Sequence, residues 1–182
     1  MILSDFDLES YIRGGRLVVE PCDADTVREN GLDLRLADEI AVKNTLLKKG
    51  SVVDPYDAES VKKEYIVTKN KSELVIPPRT QVLLSTLEYL ELPDNLMGFV
   101  ELRSTWARHG LSMPPTIIDA GFKGTITLEV INHGEYGLRL LPKTRFAHVI
   151  FSTTLNKVRN TYSGTYLGQR GIKLPKVIKE LP

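Results

Sequence analysis

The sequence predicts a mainly β fold, a sandwich or a jelly-roll-like barrel with a few short helices. Short apolar segments recur about every ten residues between positions 17 and 152, and turns rich in Gly, Pro and Asn separate them. Only two segments have the residue spacing of a helix. No repeat and no linker divides the 182 residues, so we expect residues 1–182 to form one domain.

The composition is that of a globular protein without a strong charge bias. The 24 Lys and Arg residues nearly balance the 23 Asp and Glu residues, which gives no reason to expect nucleic acid or a membrane surface as a partner. The one cysteine, Cys22, allows no internal disulfide and no Cys-rich metal site. The N-terminus lacks the pattern of a signal peptide, and no apolar segment approaches the ~20 residues of a membrane span. We therefore expect a cytoplasmic protein.

The N-terminal segments are predicted from their caps and periodicity. Ser4 and Asp7 have the spacing of a capping box, and the helix that they begin should end at Gly14. Residues 17–19 read as a short strand. From Gly31, Leu residues alternate with polar residues, which is the pattern of a half-buried strand.

The rest of the chain continues the β pattern. Residues 44–72 are polar, and we expect a surface excursion with a short strand near residues 65–68. "RSTWARHG" at 103–110 interrupts the strands and predicts one or two helical turns. Residues 160–182 are Gly-rich and basic, which indicates a flexible arm or lid. The remaining strands are expected at residues 74–76, 81–90, 97–102, 125–132, 137–141 and 145–152.

Two carboxylates in "DAGFKGTITLEV" (119–130) are candidates for chemistry. Glu129 shares one face of its strand with Thr127 and Ile131, and it is either a residue of a solvated face or a general base. Asp119 precedes a Gly-containing turn, and it either caps that turn or accepts a hydrogen bond from a sugar hydroxyl. Local pattern leaves both alternatives open.

"RSTWAR" is a candidate polyphosphate site. Arg103, Ser104, Thr105 and Arg108 supply two guanidinium groups and two hydroxyls at the start of a helix, although charged surface helices share this composition. The three histidines have no metal-ligand spacing, and the zinc deaminase signature and the Walker A motif are absent. Any hydrolysis should therefore use water activated by a carboxylate, with Mg²⁺ carried by substrate phosphates and no zinc.

Three segments together resemble dCTP deaminases of the trimeric dUTPase-like superfamily: "LPDNLMGFVELRSTWARHGL", "IIDAGFKGTITLEVIN" and "TYSGTYLGQRG". "ENGLDLRL" near the N-terminus resembles the first strand motif of that family. The resemblance implies a distorted jelly-roll (β-clip) barrel that assembles as a homotrimer with active sites between subunits. It also implies deamination of dCTP to dUTP, Mg²⁺ on the triphosphate and dTTP as an inhibitor.

The resemblance implies a role for each matching residue. Glu129 would act as the catalytic base and then as the acid. Ser104 and Arg108 would hold the attacking water, the pyrimidine base of the substrate and the Glu129 side chain. Arg103 and Thr105 would bind phosphates. Asp119 would contact the sugar 3′-hydroxyl region, and backbone groups of Thr127 and Leu128 would read the pyrimidine edge. Tyr162 and Gln169 would bind phosphates from the tail.

Three departures from the family pattern leave questions about this chain. Thr165 occupies the position of a common phosphate-binding Lys, so that charge contact is either absent or supplied by Arg170. His148 replaces a common Gln. Pro114-Pro115 lies where a main-chain carbonyl is expected to touch the attacking water. The alternatives to deamination are dUTP diphosphatase activity, alone or coupled to it, and a non-catalytic nucleotide-binding module.

Overall fold

The computed structural model of the chain describes residues 1–47 and 50–179, so the last three residues of the predicted arm lie outside the described residues. The mainly β fold is confirmed. In chain order the elements are α1 (Asp5–Arg13), β1 (Val18–Glu20), β2 (Val27–Arg28), β3 (Gly31–Lys43), α2 (Ala58–Lys62), β4 (Tyr65–Lys69), β5 (Leu74–Ile76), β6 (Gln81–Thr86), β7 (Tyr89–Glu91), β8 (Leu96–Leu102), α3 (Ser104–Arg108), β9 (Leu111–Ser112), β10 (Thr116–Ile118), β11 (Lys123–Gly124), β12 (Thr127–Asn132), β13 (Leu138–Leu140) and β14 (Arg145–Thr153).

The strands form one large antiparallel sheet and two small ones. The large sheet has the order β10-β8-β14-β3-β6-β12-β9, with β2 and β4 also paired to β3. The pairings of β3 shift register between Leu36 and Ile40, and those of β14 shift between Arg145 and Ala147. Such irregularities increase local twist and let a sheet curl. β1-β7-β11 and β13-β5 are the small sheets.

The first helix forms as its sequence predicts. The Ser4 hydroxyl accepts a hydrogen bond from Asp7 N, and the Asp7 carboxylate accepts one from Ser4 N. The helix ends at Gly14, whose N–H donates to the Ser10 carbonyl oxygen. Leu8 on its inner face is fully buried.

One predicted strand is divided in the structure, and another, expected at residues 125–132, begins at Thr127. Residues 81–90 form β6 and β7, which belong to different sheets. The Thr86 hydroxyl causes the break, because it donates to the Glu88 carbonyl (3.0 Å) and accepts from Ile126 N (2.8 Å). That second bond also separates β11 from β12. Helix α2 and strands β2, β9, β10 and β11 were not predicted, and all five are five residues or shorter.

The core lies inside the curl of the large sheet. Its largest fully buried side chains include Phe146 and Phe151 of β14 and Leu32, Leu34 and Leu36 of β3. These Leu residues are the ones that alternate with polar residues in the half-buried strand predicted from Gly31.

The described part of the C-terminal tail, residues 161–179, lies against this sheet. Ile172 and Leu174 pack on Tyr65 and Leu83, so the tail covers strands that would otherwise be exposed.

Candidate active site

A cavity of about 410 Å³ lies between β12, the turn after β10 and the C-terminal tail. It brings together both carboxylates of "DAGFKGTITLEV" and both tail residues predicted to bind substrate. The side chains that matter for its chemistry are those of Asp119, Ile126, Thr127, Glu129, Tyr162 and Gln169. Strand alternation and the docking of the tail together place these groups around one space.

Glu129 reaches this cavity because side chains alternate along β12. Leu128 and Val130 are 1% and 0% exposed in the core, whereas Thr127, Glu129 and Ile131 lie half-buried on the opposite face. That face is covered by the tail rather than open to solvent. The Glu129 carboxylate has no hydrogen-bond or ion-pair partner from another side chain among the described residues, and its burial raises the pKa above 4.5.

Asp119 follows β10 in the turn that leads to β11. Its carbonyl oxygen accepts the turn hydrogen bond from Phe122 N (3.1 Å), and its exposed carboxylate faces the cavity. Gly121 of the same turn has φ +84°, and a Cβ there would lie 2.6 Å from Thr161 of the tail. The turn therefore requires glycine both for its backbone conformation and for the approach of the tail.

One edge of β12 is open beside Glu129. β6 pairs with residues 127–131 on one side, whereas β9 pairs only with Ile131 and Asn132 on the other. On this second side no strand within the described residues pairs with residues 127–130. Lys173 N of the tail donates to the Thr127 hydroxyl (3.1 Å). Backbone groups of Thr127 and Leu128 are thus placed next to the cavity.

The two predicted tail residues are anchored in different ways. Tyr162 packs against Phe122 with ring centroids 5.6 Å apart, and its hydroxyl accepts from Tyr166 N (3.3 Å). Gln169 is 7% exposed and donates from Nε2 to the Thr125 carbonyl (2.6 Å). This bond uses one of the two N–H donors of the amide and holds the tail on the segment between β11 and β12.

The structure clarifies the Thr165 departure. Lys176 Nζ donates to the Thr165 carbonyl (3.1 Å), which brings a lysine to this position from eleven residues downstream. Arg170 instead stacks its guanidinium over Tyr89, with 4.2 Å to the ring centroid. Lys176, which the sequence reasoning missed, therefore places a positive charge beside Thr165.

The residues of "RSTWAR" lie outside the cavity. Ser104 and Arg108 are exposed on α3, which Trp106 fixes to the sheet by donating to the Arg145 carbonyl (3.0 Å). A second pocket of about 210 Å³ adjoins α3 and is lined by Arg103, Thr105, Trp106, Thr144 and Arg145. The predicted site residues thus form two groups within one chain.

Asp33 of β3 joins the second pocket to His148. The Asp33 carboxylate accepts from Arg103 (2.8 Å) and contacts Arg145 (3.5 Å) and His148 Nδ1 (2.9 Å). His148, whose role the sequence left open, therefore packs as a partner of a buried carboxylate. The cluster has no local signal in the sequence, since Asp33 and His148 are 115 residues apart and meet only through the register of β3 and β14.

Two further observations concern ions and membranes. Within residues 1–47 and 50–179, no group of three or more His, Cys, Asp or Glu could hold a metal ion. None of the described helices has the length and apolar character needed to cross a membrane.

Comparison of the fold with solved structures identifies the class to which the curled β sheet belongs. A 2′-deoxycytidine 5′-triphosphate deaminase from Agrobacterium tumefaciens superposes with a TM-score of 0.64 at 19% identity. The match covers 82% of this chain and 46% of that chain, so this chain spans about half the length of that structure. At this identity the likeness establishes a shared fold.

Sequence comparison identifies the family. The model of the dCTP deaminase-like family matches residues 2–154. A dCTP deaminase of Pyrobaculum arsenaticum is 46% identical over 179 residues, which are 98% of each chain. One of Sulfurisphaera tokodaii is 46% identical over 176 residues, covering 97% of this chain and 92% of the relative. The chain belongs to the dCTP deaminase-like family, and the predicted resemblance is confirmed.

Proposed function

We propose that the protein catalyses the hydrolytic deamination of dCTP to dUTP and ammonia. The observation that carries this proposal is the Glu129 carboxylate, half-buried and without a side-chain partner among the described residues, beside an open strand edge in a cavity. Such a group is suited to proton transfer, because its surroundings neither neutralise it nor commit it to a structural bond. The curated relatives named dCTP deaminase support the same reaction.

In the proposed mechanism Glu129 acts first as a base and then as an acid. The carboxylate takes a proton from water as the water oxygen attacks C4 of cytosine. It delivers that proton to N3, and a second proton from the added hydroxyl passes to the amine, which leaves as ammonia. Burial raises the pKa of Glu129 and so favours its protonated form, which lets one group act first as the base and then as the acid.

Groups around Glu129 would orient the nucleoside. The open edge of β12 offers backbone N–H and C=O groups of Thr127 and Leu128 to the pyrimidine. The Asp119 carboxylate at the other end of the cavity would accept from the sugar 3′-hydroxyl. The tail, with Tyr162 and Gln169, would close over the bound nucleotide.

We further propose a homotrimer in which α3 of one subunit completes the cavity of its neighbour. This arrangement accounts for the separation of Ser104 and Arg108 from Glu129 within one chain. An apolar row across the outer sheet face supports self-association: Ile117 and Phe99 are 56% and 39% exposed and lie opposite each other.

Arg103 and Thr105 would bind the triphosphate. Mg²⁺ would be held by oxygens of the triphosphate. The charge of Mg²⁺ would neutralise part of the phosphate charge. dTTP, as an inhibitor, would compete for the same groups.

We also propose a cytoplasmic location, because the exposed Cys22 thiol fits the reducing interior of a cell.

A second candidate is dUTP diphosphatase activity, alone or coupled to deamination. The Asp119 carboxylate, which makes no hydrogen bond in its turn, lines the same cavity as Glu129 and could activate a water for attack at phosphorus. This reaction would yield dUMP and pyrophosphate.

A product-resolved assay distinguishes the two reactions. The protein is incubated with Mg²⁺ and either dCTP, dUTP or CTP, and the nucleotides are separated by ion-exchange chromatography. We expect dUTP and an equal amount of ammonia from dCTP. Formation of dUMP from dUTP would establish the second activity, and the absence of turnover of both deoxynucleotides by folded protein would refute both.

A further inference from the structure

We propose that Arg145 and Thr144 bind polyphosphate together with Arg103 and Thr105, and that Asp33 holds the two arginines in place for this purpose. The pocket that these residues line was not predicted as a unit from the sequence. The inference rests on the proposed function for the identity of the ligand, a nucleoside triphosphate. The pocket itself is defined by side-chain geometry.

The two oxygens of Asp33 have separate partners. Oδ1 lies 2.9 Å from His148 Nδ1, whereas Oδ2 lies 2.8 Å from Arg103 Nη1 and 3.5 Å from Arg145 Nη1. The Asp33 side chain is 5% exposed, so these contacts are shielded from water. His148 thereby fixes the rotation of the carboxylate, and the carboxylate fixes one nitrogen of each guanidinium.

Each arginine keeps donors for a ligand. A guanidinium has five N–H groups, and Asp33 uses one nitrogen of each arginine. Arg103 and Arg145 side chains are 29% and 36% exposed, so their remaining donors reach the pocket of about 210 Å³. The Thr105 and Thr144 hydroxyls line the same space.

The charge around the pocket favours an anion. Two guanidinium groups share one buried carboxylate, so the remaining positive charge is balanced only by Asp25, whose side chain is 55% exposed and screened by water. The other acidic groups nearby are exposed: Asp25 is 3.8 Å from Arg145, and Glu101 lies opposite His148 in the register of β8 and β14. Fixed guanidinium pairs with adjacent hydroxyls match the geometry of phosphate oxygens.

Inorganic tripolyphosphate tests the pocket without any need for turnover. Its affinity for the full-length protein is measured by calorimetry, and the affinities for dCTP and deoxycytidine are measured beside it. We expect Arg145→Ala to weaken tripolyphosphate and dCTP by about tenfold or more, the loss typical of one charge-assisted bond, and to leave deoxycytidine unchanged. Arg139→Ala is the matched control, since Arg139 is 69% exposed and pairs with Glu73.

The outcomes separate this proposal from the proposed function. Unchanged tripolyphosphate affinity in folded Arg145→Ala would overturn the pocket even if dCTP is deaminated normally. Conversely, if the protein binds tripolyphosphate through Arg145 but releases no ammonia from dCTP, the proposed deamination is refuted and the proposed phosphate pocket is not.

The positioning role of Asp33 is tested by a double-mutant cycle. If Asp33 holds Arg145 for the phosphate, Arg145→Ala should weaken tripolyphosphate less in an Asp33→Asn background than in the wild type. Additive effects would refute the positioning role. Should Asp33→Asn fail to fold, His148→Ala, which removes only the Oδ1 partner, takes its place in the cycle.

Discussion

At the scale of single residues, Glu129 carries the proposed chemistry through its surroundings. Leu128 and Val130 anchor β12 in the core and fix the direction of the Glu129 side chain. Described residues of the tail and of β10 line the space above it and bury part of the carboxylate, and no cation among the described residues pairs with it. The result is an acid of raised pKa in a position to exchange protons with a ligand.

Replacing Glu129 should separate binding from catalysis. Glu129→Gln keeps the shape of the side chain but cannot take a proton, so we expect ammonia release from dCTP to fall by about 10²–10⁴-fold or more. dCTP affinity, measured by calorimetry, should change little. Parallel loss of affinity and rate would instead indicate a structural glutamate.

The same substitution should change the pH dependence of stability. Because the folded-state pKa of Glu129 lies above 4.5, burial of the carboxylate destabilises the fold at neutral pH. This penalty is absent below pH 4.5, where the group is protonated in both states, and is complete above the folded-state pKa. We therefore expect Glu129→Gln to raise Tm at pH 7, with a gain that shrinks towards pH 4.5.

Glu135→Gln is the control for that measurement. The Arg79 guanidinium lowers the pKa of Glu135, so this substitution removes a stabilising contact at neutral pH and should give no gain in Tm. A gain of equal size in both variants would mean that loss of negative charge, rather than burial, causes the effect.

The sequence predicted the placement of some of these residues but not the surroundings of others. The alternation of residues 125–132 was sufficient to place Glu129 and Thr127 on one face. It could not indicate whether that face is solvated, because the covering residues come from the tail more than 30 positions away. The contacts of Asp33 could not be predicted for the same reason, because residues distant in the sequence meet there only through the pairing of β3 with β14.

At the scale of elements, capping and periodicity predicted the helix α1 and the long strand β3 correctly. The division of residues 81–90 was missed, because one Thr86 hydroxyl outweighs a continuous apolar pattern. Helix α2 was missed in a polar segment where its Asp57 cap is the main signal.

The tail is attached to the sheet by contacts that can be tested. Ile172 N donates to Glu39 Oε1 (2.6 Å), and Gly171 beside it has φ +69°. A Cβ at Gly171 would collide with the Glu39 carboxylate. We expect Gly171→Ala to release the tail, which limited proteolysis would detect as faster cleavage between residues 161 and 179.

Gly168→Ala is the matched control for that variant. Gly168 has a similar φ of +72°, but a Cβ there would meet no atom within 4 Å. It therefore carries the backbone strain without the collision. Equal cleavage in the two variants would show that the Glu39 contact does not hold the tail.

At the scale of the whole molecule, we propose one domain per chain and one active site per pair of neighbouring chains. The core runs from Leu3 to Phe151 as one cluster, and the described tail packs on it. The cavity with Glu129 and the pocket beside α3 are distinct in one chain. A trimer would join them across its interfaces.

Mixing two inactive variants tests this account most directly. Glu129→Gln and Arg108→Ala each disable one half of the proposed site, and chains of both kinds can be unfolded and refolded together. In mixed trimers about a quarter of the sites would combine an intact Glu129 with an intact Arg108. The measurement is ammonia release from dCTP by the refolded mixture, with each variant refolded alone as control. We predict activity near a quarter of the wild-type value; a mixture of folded oligomers as inactive as its parents would contradict the two-subunit site.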